Sequence, residues 1–198
     1  VMAEAATQQT PTEALIATLD LPQGGWSDAA RKDALSRLQQ AGLPERRDEY
    51  WKYTRPDTLT QPQAVSAAVR ASEDVALFDQ IDRLKLVFVD GVFDADASDD
   101  LALEGITIER LAQADADLHW ARDLYGTLEK KGQTPVARPL AALNTAFAAD
   151  GVLIHVTDKV SKPVNIVYRR TSETADVMLH HVVKLDAGAE FTLLENGP

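Results

Sequence analysis

The amino-acid composition changes near residue 150, and this change limits the folds that the chain can adopt. Of the 30 alanines, 27 precede Asp150 and 3 follow it, whereas Val, Ile and Thr together occupy 14 positions between Gly151 and Pro198. Alanine favours helices and β-branched residues favour strands. The sequence therefore predicts an α+β protein with a mainly helical domain at 1–150, including a short strand hairpin, and an all-β domain at 151–198.

Helix signals in the first domain occur at defined positions. Thr10 and Glu13 form a capping-box pattern with proline at the first helical position, which predicts a short helix to about Leu19. A second helix starts near Ser27 and Asp28 and ends at Gly42. Apolar residues at helical spacing predict two more helices, over 108–128 and 140–149.

Strand signals are found on both sides of residue 150. Residues 84–89 are followed by Asp90-Gly91 and Val92-Phe93, which predicts a tight hairpin. Four short strands follow near 152–156, 164–169, 177–185 and 190–195. Their regular spacing predicts a sandwich, a barrel or a β-solenoid. The last strand stops at Asn196 without a capping segment, which favours a fragment of a longer solenoid.

Alternation of apolar and polar residues assigns one face to each of these four strands. The residues predicted to share those faces are Val152, Ile154 and Val156; Val164, Ile166 and Tyr168; Val177, Leu179, His181, Val183 and Leu185; and Phe191 and Leu193.

Charge and cysteine content exclude several functional classes. The chain has 20 Lys and Arg against 31 Asp and Glu, a formal charge of −11, and no cysteine. An acidic chain is poorly suited to neutralising phosphates, so we expect no nucleic-acid partner. Without cysteine the chain holds neither disulfides nor thiolate ligands. No apolar run is long enough to span a membrane, and residues 1–6 do not resemble a secretory signal, so we expect a cytoplasmic protein.

Common catalytic and metal-binding patterns are missing from the sequence. It has no phosphate-binding loop, no dinucleotide fingerprint, no His-Glu-x-x-His and no nucleophile elbow. Asp94, Asp96 and Ser98 have the spacing of a calcium loop, but Asp99 replaces the required glycine and Gly105 the required glutamate, so we reject calcium there. The acidic stretch 90–104 is interpreted as a solvated loop.

Each of the four histidines could be a metal ligand or a structural residue. His180 and His181 are adjacent on a predicted strand, so they project to opposite faces. His181 lies with Leu179 and Val183 and is interpreted as a core histidine. His155 and His180 share the other face, where a metal site would need carboxylates that the sequence does not place there. His119 is expected at a half-exposed position of a helix.

An aromatic and charged segment at 45–54 is the most unusual stretch of the chain. It contains Arg46, Arg47, Lys52 and three aromatic residues. Such a segment can form a binding surface through stacking and cation–π contacts. The alternative, which physical reasoning alone favours, is a structural clasp in which Trp51 and Tyr53 pack on the helices and the charges pair outside.

This segment also carries a family resemblance. Leu43-Pro44-Glu45-Arg46-Arg47-Asp48-Glu49-Tyr50-Trp51-Lys52-Tyr53-Thr54 resembles the signature P-x-R-[RK]-x-E-x-W-[KR]-Y-[ST] of the SufD family of iron–sulfur cluster assembly proteins, which is related to SufB; Tyr50 departs from the polar residue common there. Three further stretches agree in order: Leu86-Val87-Phe88-Val89-Asp90-Gly91, Leu143-Asn144-Thr145-Ala146-Phe147 with Asp150-Gly151, and Glu190-Phe191-Thr192-Leu193-Leu194-Glu195. The resemblance covers most of residues 30–195.

The resemblance implies a fold, partners and a role. The fold would be an amino-terminal helical domain followed by the first rungs of a right-handed parallel β-helix, in a protein longer than this chain. The implied role is a non-catalytic scaffold subunit that assembles with a SufB-like subunit and a SufC-like ATPase. The cluster would be held transiently by the complex, with no cofactor in this chain. The family's functional histidine belongs to a later part, so no catalytic, cofactor or metal residue is assigned.

Two other functions are compatible with the sequence. A carbohydrate-processing β-helix enzyme would need paired carboxylates, for which only Asp186, Glu190 and Glu195 are placed on the predicted strands and turns. A free-standing interaction module would unfold cooperatively as a monomer. A truncated solenoid would instead form a homodimer through its open end.

Overall fold

The computed structural model describes residues 8–69, 77–114, 116–131 and 136–197. The helices are α1 (Pro11–Ile16), α2 (Asp28–Ala41), α3 (Thr127–Lys131) and α4 (Pro139–Phe147), and the strands are β1 (Leu84–Val89), β2 (Val92–Phe93), β3 (Ile106–Arg110), β4 (Val152–Val156), β5 (Val164–Arg169), β6 (Val182–Leu185) and β7 (Leu193–Asn196). Short 3₁₀ turns connect them. Residues 1–6, which were compared with a secretory signal, lie outside the described residues.

The strands form two open sheets between which the chain winds. One sheet has the order β2-β1-β5-β7 and the other the order β3-β4-β6. From β4 onward the chain alternates between the two sheets, and β5, β6 and β7 each pair in parallel with a strand already in their sheet. Leu153 pairs with Val182 and Val164 pairs with Leu193, so the sequence offset between paired residues is the same in both sheets. This constant offset describes a parallel coil.

The largest core lies between the two sheets. It contains the alternating residues predicted for it on the first two strands after residue 150, including Ile154 and Ile166, both 0% exposed. Tyr168, Leu179 and Phe191 pack against this core. The predicted faces of β4 and β5 are therefore confirmed.

The predicted hairpin is also present. β1 and β2 pair antiparallel, with Val89 opposite Val92. Asp90 (φ 50°) and Gly91 (φ 80°) form the two-residue turn between them. Positive φ at both central residues is the requirement of a tight hairpin turn, which explains the Asp-Gly pair.

Helices α2 and α4 pack against each other, and Ala30 of α2 packs on the cluster that contains Leu153 and Val182 of the β3-β4-β6 sheet. The capping box at Thr10 is present, with Glu13 N donating to the Thr10 hydroxyl. Helix α2 packs on α4 through Ala34 and Leu38, both fully buried. One polar residue of this interface is Arg31, which is only 3% exposed and donates to the carbonyls of Ala146 and Ala148 at the end of α4. The two helices are thus joined by apolar packing and by a buried guanidinium.

The helix predicted over 108–128 is wrong. Its first residues form β3, which pairs antiparallel with β4, and the rest forms 3₁₀ turns and α3. Leu118 and Leu128, two of the leucines in the predicted helix, are 80% and 82% exposed. Pairing with β4 gives the segment a non-local partner that outweighs its weak helical pattern.

The four strands predicted after residue 150 are present over slightly different bounds. The predicted strand 177–185 is shorter, and β6 begins only at Val182, with an isolated bridge at Leu179.

Both sheets combine strands from either side of residue 150. The division into domains 1–150 and 151–198 concerns independently folding units and stays a prediction.

Among the described residues no helix is both long and apolar enough to cross a membrane.

Candidate interaction surface and the histidine positions

The aromatic segment forms a surface loop between two buried prolines, Pro44 and Pro56. Near its start, the Asp48 carboxylate accepts a hydrogen bond from the amide of Glu45 at 2.9 Å, which closes a local turn. A 3₁₀ turn at Glu49–Trp51 follows. The buried prolines fix the two ends of the loop, and most residues between them face solvent.

Tyr53 does not take part in the clasp that physical reasoning favoured. Tyr53 is 91% exposed and Tyr50 is 57% exposed, while Trp51 is half-buried. The Lys52 ammonium lies 5.4 Å from the Tyr53 ring centroid. The prediction that Tyr53 packs on the helices is therefore wrong.

The cations of the loop are also accessible. Arg46 and Arg47 are exposed and form no ion pair within the described ranges. Aromatic side chains and arginine are enriched in protein interfaces because they bury large areas and form cation–π or bidentate contacts. We therefore treat the segment 45–54 as the candidate interaction surface of this chain.

His181 is a satisfied core histidine, as predicted. Its Nδ1 accepts a hydrogen bond from the amide of Val152 at 2.9 Å, and its Nε2 lies 2.8 Å from the hydroxyl of Tyr168. Because Nδ1 is an acceptor, the neutral ring carries its proton on Nε2 and donates to Tyr168. Burial lowers the pKa of His181, which keeps the ring neutral.

His180 points to the other side, as its neighbouring position predicted. Its ring lies 4.3 Å from the ring of Tyr125, and its Nδ1 is buried without a hydrogen-bond partner in the described part of the chain. Burial is the main cause that lowers the pKa of His180 to about 4. Burial also raises the pKa of Tyr125 to about 12. Both rings are therefore neutral packing residues at physiological pH.

His119 differs from its prediction. It precedes a 3₁₀ turn rather than lying within a helix, and only 8% of its side chain is exposed. Its Nδ1 accepts from the amide of Ala121, its Nε2 contacts the carboxylate of Glu109 at 2.8 Å, and its ring stacks on Trp26 at 5.0 Å. The expected half-exposed helical position is wrong, because His119 caps a turn that packs on the sheet.

His155 and His180 do not meet in a metal site. His155 contacts Asp186 at 2.8 Å and Trp120 at 5.3 Å, whereas His180 contacts Tyr125. The hydrogen bond from His155 lowers the pKa of Asp186. Within the described residues, no group of three or more His, Asp or Glu side chains has the arrangement of a metal site.

The three acids considered for carbohydrate chemistry have separate partners. Asp186 pairs with His155, Glu190 pairs with Lys159, and Glu195 accepts a hydrogen bond from Tyr168 at 2.6 Å. Glycosidases need two carboxylates that flank one bond. The contacts of these three acids give no indication of such a pair.

The motif Asp150-Gly151 has a structural basis. Asp150 is 4% exposed, pairs with Arg110 at 2.6 Å and accepts hydrogen bonds from the amides of Ala112 and Gly151. A Cβ on Gly151 would lie 1.8 Å from the carbonyl oxygen of His180. These two residues therefore fix the junction where α4 enters the coil.

Arg31 and Asn165 are two buried polar residues that join elements and were not predicted from the sequence. Arg31 shares a helical face with Ala34 and Leu38, so its position on an apolar stripe was an available signal. Asn165 is 0% exposed; it accepts from Arg83 and donates to Asn196. Asn165 lies in an apolar strand, where a lone amide indicates a required hydrogen bond.

Comparison with known proteins gives two matches. The family model described as SufBD protein N-terminal region matches residues 23–166. The iron–sulfur cluster assembly protein SufD of Escherichia coli (strain K12) is 32% identical over 180 residues, which cover 82% of this chain and 37% of that protein. The chain therefore spans well under half the length of this curated relative.

Proposed function

The chain belongs to the SufBD protein family, and from this membership we propose that it is the amino-terminal portion of a SufD-type scaffold subunit in iron–sulfur cluster assembly. The observation that carries this proposal is the family match over residues 23–166, together with the 32% identity to a SufD protein. In this role the subunit has no catalysis of its own. It acts with a SufB-like subunit and a SufC-like ATPase in the cytoplasm.

The geometry supports a structural role for this part of the subunit. The buried histidines His180 and His181 pack against tyrosine rings. Burial lowers the pKa of both, which favours neutral packing groups over general bases. The exposed cationic and aromatic loop at 45–54 provides a recognition surface. A rigid coil with an exposed loop is an arrangement suited to holding partners.

The iron–sulfur cluster in this proposal is cargo of the assembled complex. This chain has no cysteine, so thiolate ligands come from a SufB-like partner or from the part of the protein beyond residue 198. No residue of this chain is assigned to the cluster.

We also propose that the parallel coil is the beginning of a right-handed β-helix. Support comes from the sequence offset between paired strands, which is identical in the two sheets, as in the regular repeat of a solenoid. The two open sheets are consistent with the first rungs of such a fold.

The test of this function is co-purification and complementation with the natural full-length protein. We expect the tagged protein to recover SufB-like and SufC-like chains from the same source. We also expect a deletion strain to lose iron–sulfur enzyme activity until the gene is returned. Recovery of neither partner, with normal iron–sulfur enzyme activity in the deletion strain, would exclude the scaffold role.

A variant panel tests the candidate interaction surface separately. Tyr53→Ala and Lys52→Ala alter exposed side chains of the loop, so they should leave stability unchanged and reduce recovery of a partner. Leu118→Ala is the matched control, because Leu118 is 80% exposed and lies outside the loop. Full partner recovery and full complementation by the loop variants would show that residues 45–54 are not the recognition surface.

A further inference from the structure

The outer edge of β1 is covered by its own neighbours in sequence. The short strand β2 covers one part of it. Beyond β2, the amide of Lys85 donates to the carboxylate of Asp99 at 2.7 Å, and the carbonyl of Lys85 accepts from the amide of Asp99. The amide of Val87 donates to the Ser98 hydroxyl at 2.9 Å. The loop that follows the hairpin therefore satisfies the backbone groups that β2 leaves open.

The outer edge of β3, which begins the other sheet, lacks such a cover. Thr157 N donates to Gly105 O, and this bond sets the phase of the β3–β4 ladder. In this phase the backbone groups of alternate residues point to β4, and those of Ile108 and Arg110 point away from it. The amide and carbonyl of Ile108 and the amide of Arg110 have no hydrogen-bond partner within the described ranges.

β3 also lacks the features that usually blunt an exposed strand edge. Natural proteins protect such edges with proline or with a β-bulge. β3 has the sequence Ile-Thr-Ile-Glu-Arg, without proline, and its pairing with β4 is unbroken from Ile106 to Arg110. Its edge is therefore able to accept a further strand.

A groove runs along this edge. It lies between the segment 101–104 and β3, and its lining includes Leu101, Leu103, Ile106 and Ile108. The two isoleucines belong to the core between the sheets, and the two leucines pack against that core. An extended peptide in the groove therefore meets apolar side chains on the side that faces the core.

The rim of the groove is acidic. From residue 86 to residue 109 the chain has seven Asp and Glu and no Lys or Arg. Asp100 and Glu104 are exposed and form no ion pair in the part of the chain that the structure describes. Glu109, on the solvent-facing side of β3, contacts His119 and is 40% exposed. Charge complementarity therefore favours a basic occupant.

We propose that the groove along β3 binds an extended segment of a partner protein in which Lys or Arg alternates with apolar residues. The segment adds a strand to β3 and forms main-chain hydrogen bonds with Ile108 and Arg110. Side chains alternate along a strand, so its apolar residues contact Leu101 and Leu103 while its basic residues lie beside Glu104. This groove is separate from the candidate interaction surface at 45–54, and the inference goes beyond the proposed function.

A second copy of this chain is a poorer occupant. Pairing β3 with the same strand of a second copy would bring two acidic stretches, residues 86–109 of each copy, against one another. Like charges on adjacent strands are destabilising, and like-charged surfaces oppose association. A basic segment of another protein has no such cost.

Hydrogen exchange of the natural full-length protein tests the edge, with single amides resolved by fragmentation mass spectrometry. In the free protein the amides of Ile108 and Arg110 should exchange at least about tenfold faster than those of Thr107 and Glu109, which face β4. The probe is a synthetic peptide in which lysine alternates with valine. At saturation it should slow Ile108 and Arg110 at least about tenfold and leave Thr107 and Glu109 unchanged.

Three exchange results would overturn the proposal. Slow exchange of Ile108 and Arg110 at every protein concentration would show that the natural chain covers the edge itself. Slow exchange that is lost on dilution would assign the edge to a second copy. Fast exchange that saturating peptide does not change would show that no strand is added to β3.

Two N-methylated versions of the peptide separate strand addition from simple charge attraction. One carries N-methyl groups on its lysines and the other on its valines. Alternate amides of an extended strand point to opposite edges, so only one of the two sets faces β3. Binding measured by fluorescence anisotropy should weaken at least about tenfold for one version and little for the other. Equal affinities of the two versions would refute strand addition.

Charge variants of the full-length protein test the rim. Asp100→Asn combined with Glu104→Gln should weaken binding of the lysine–valine peptide about threefold or more. Asp20→Asn combined with Asp176→Asn is the matched control, because it removes the same charge from exposed positions elsewhere. Equal weakening in both double variants would show that net charge, and not this rim, attracts the peptide. Recovery of SufB-like and SufC-like chains is measured on the same preparations, so failure of this inference is distinguishable from failure of the proposed function.

Discussion

Replacing Arg31 by methionine tests how the helical layer is joined. Arg31 Nε donates to the Ser27 hydroxyl at 3.1 Å, and its Nη1 donates to the carbonyls of Ala146 and Ala148 at 3.0 and 2.9 Å. Those two carbonyls lie at the carboxyl end of α4, where backbone acceptors lack partners and the helix dipole is negative. The guanidinium thus satisfies acceptors that the helix itself leaves open.

The expected cost is about 3 kcal/mol of unfolding free energy. Hydrogen bonds from a charged donor contribute roughly 1.5–3 kcal/mol each, and an unsatisfied buried carbonyl costs about 1–3 kcal/mol. Relief from burying a charge offsets part of this, since burial lowers the pKa of Arg31 and no carboxylate pairs with it in the described part of the chain. Methionine retains most of the packing volume, so the loss reports the hydrogen bonds.

Urea unfolding at neutral pH, followed by tryptophan fluorescence, measures this loss. Arg31→Lys should fall between wild type and Arg31→Met, because an ammonium keeps the charge without the planar fork. Arg122→Met is the control: Arg122 is exposed, and the change should stay within about 0.5 kcal/mol. If Arg31→Met also stayed within that range, the buried guanidinium would not join α2 to α4.

Three further changes test separate parts of the structure. The pKa of His180 is lowered from 6.5 to about 4. In this pH window the unfolded chain binds a proton that the folded chain does not, so stability falls as pH falls from about 6.5 to about 4, by up to about 1.4 kcal/mol per pH unit. Urea titrations at several pH values should show a weaker dependence of stability on pH for His180→Leu than for wild type. Gly151→Ala should abolish folding or cost more than about 3 kcal/mol in thermal unfolding, because its Cβ would meet the His180 carbonyl. Gly188→Ala is the control: Gly188 has φ 80° and open space around it, so this change should cost about 1–2 kcal/mol. Asn165→Ala should cost about 3 kcal/mol in urea unfolding, because the Arg83 Nε loses its acceptor; a loss below about 1 kcal/mol would show that this asparagine is dispensable.

The candidate surface could be located from the sequence but not interpreted correctly. The segment 45–54 stands out by its aromatic and basic residues, and the family signature lies within it. Its exposure was not predictable, because the same residues suit a packed clasp and a solvent-facing loop. Pro44 and Pro56 are buried and hold the two ends of the loop. This tertiary packing of the loop ends leaves Tyr53 between them 91% exposed.

The sequence by itself determined the features that depend on near neighbours. The capping box at Thr10, the hairpin turn at Asp90-Gly91 and the inward faces of β4 and β5 were all predicted and are present. Each of these depends on residues within a few positions, where backbone conformation and side-chain alternation leave few alternatives. Local chemistry is sufficient for such features.

Only the tertiary structure decided the features that depend on distant partners. Residues 106–110 became a strand because β4 supplied a pairing edge, although the sequence around them has a helical pattern. His119 is buried because its turn packs on Trp26, and Arg31 is buried because α4 ends beside α2. In each case the free energy comes from a contact with a segment far away in sequence, so no local pattern could report it.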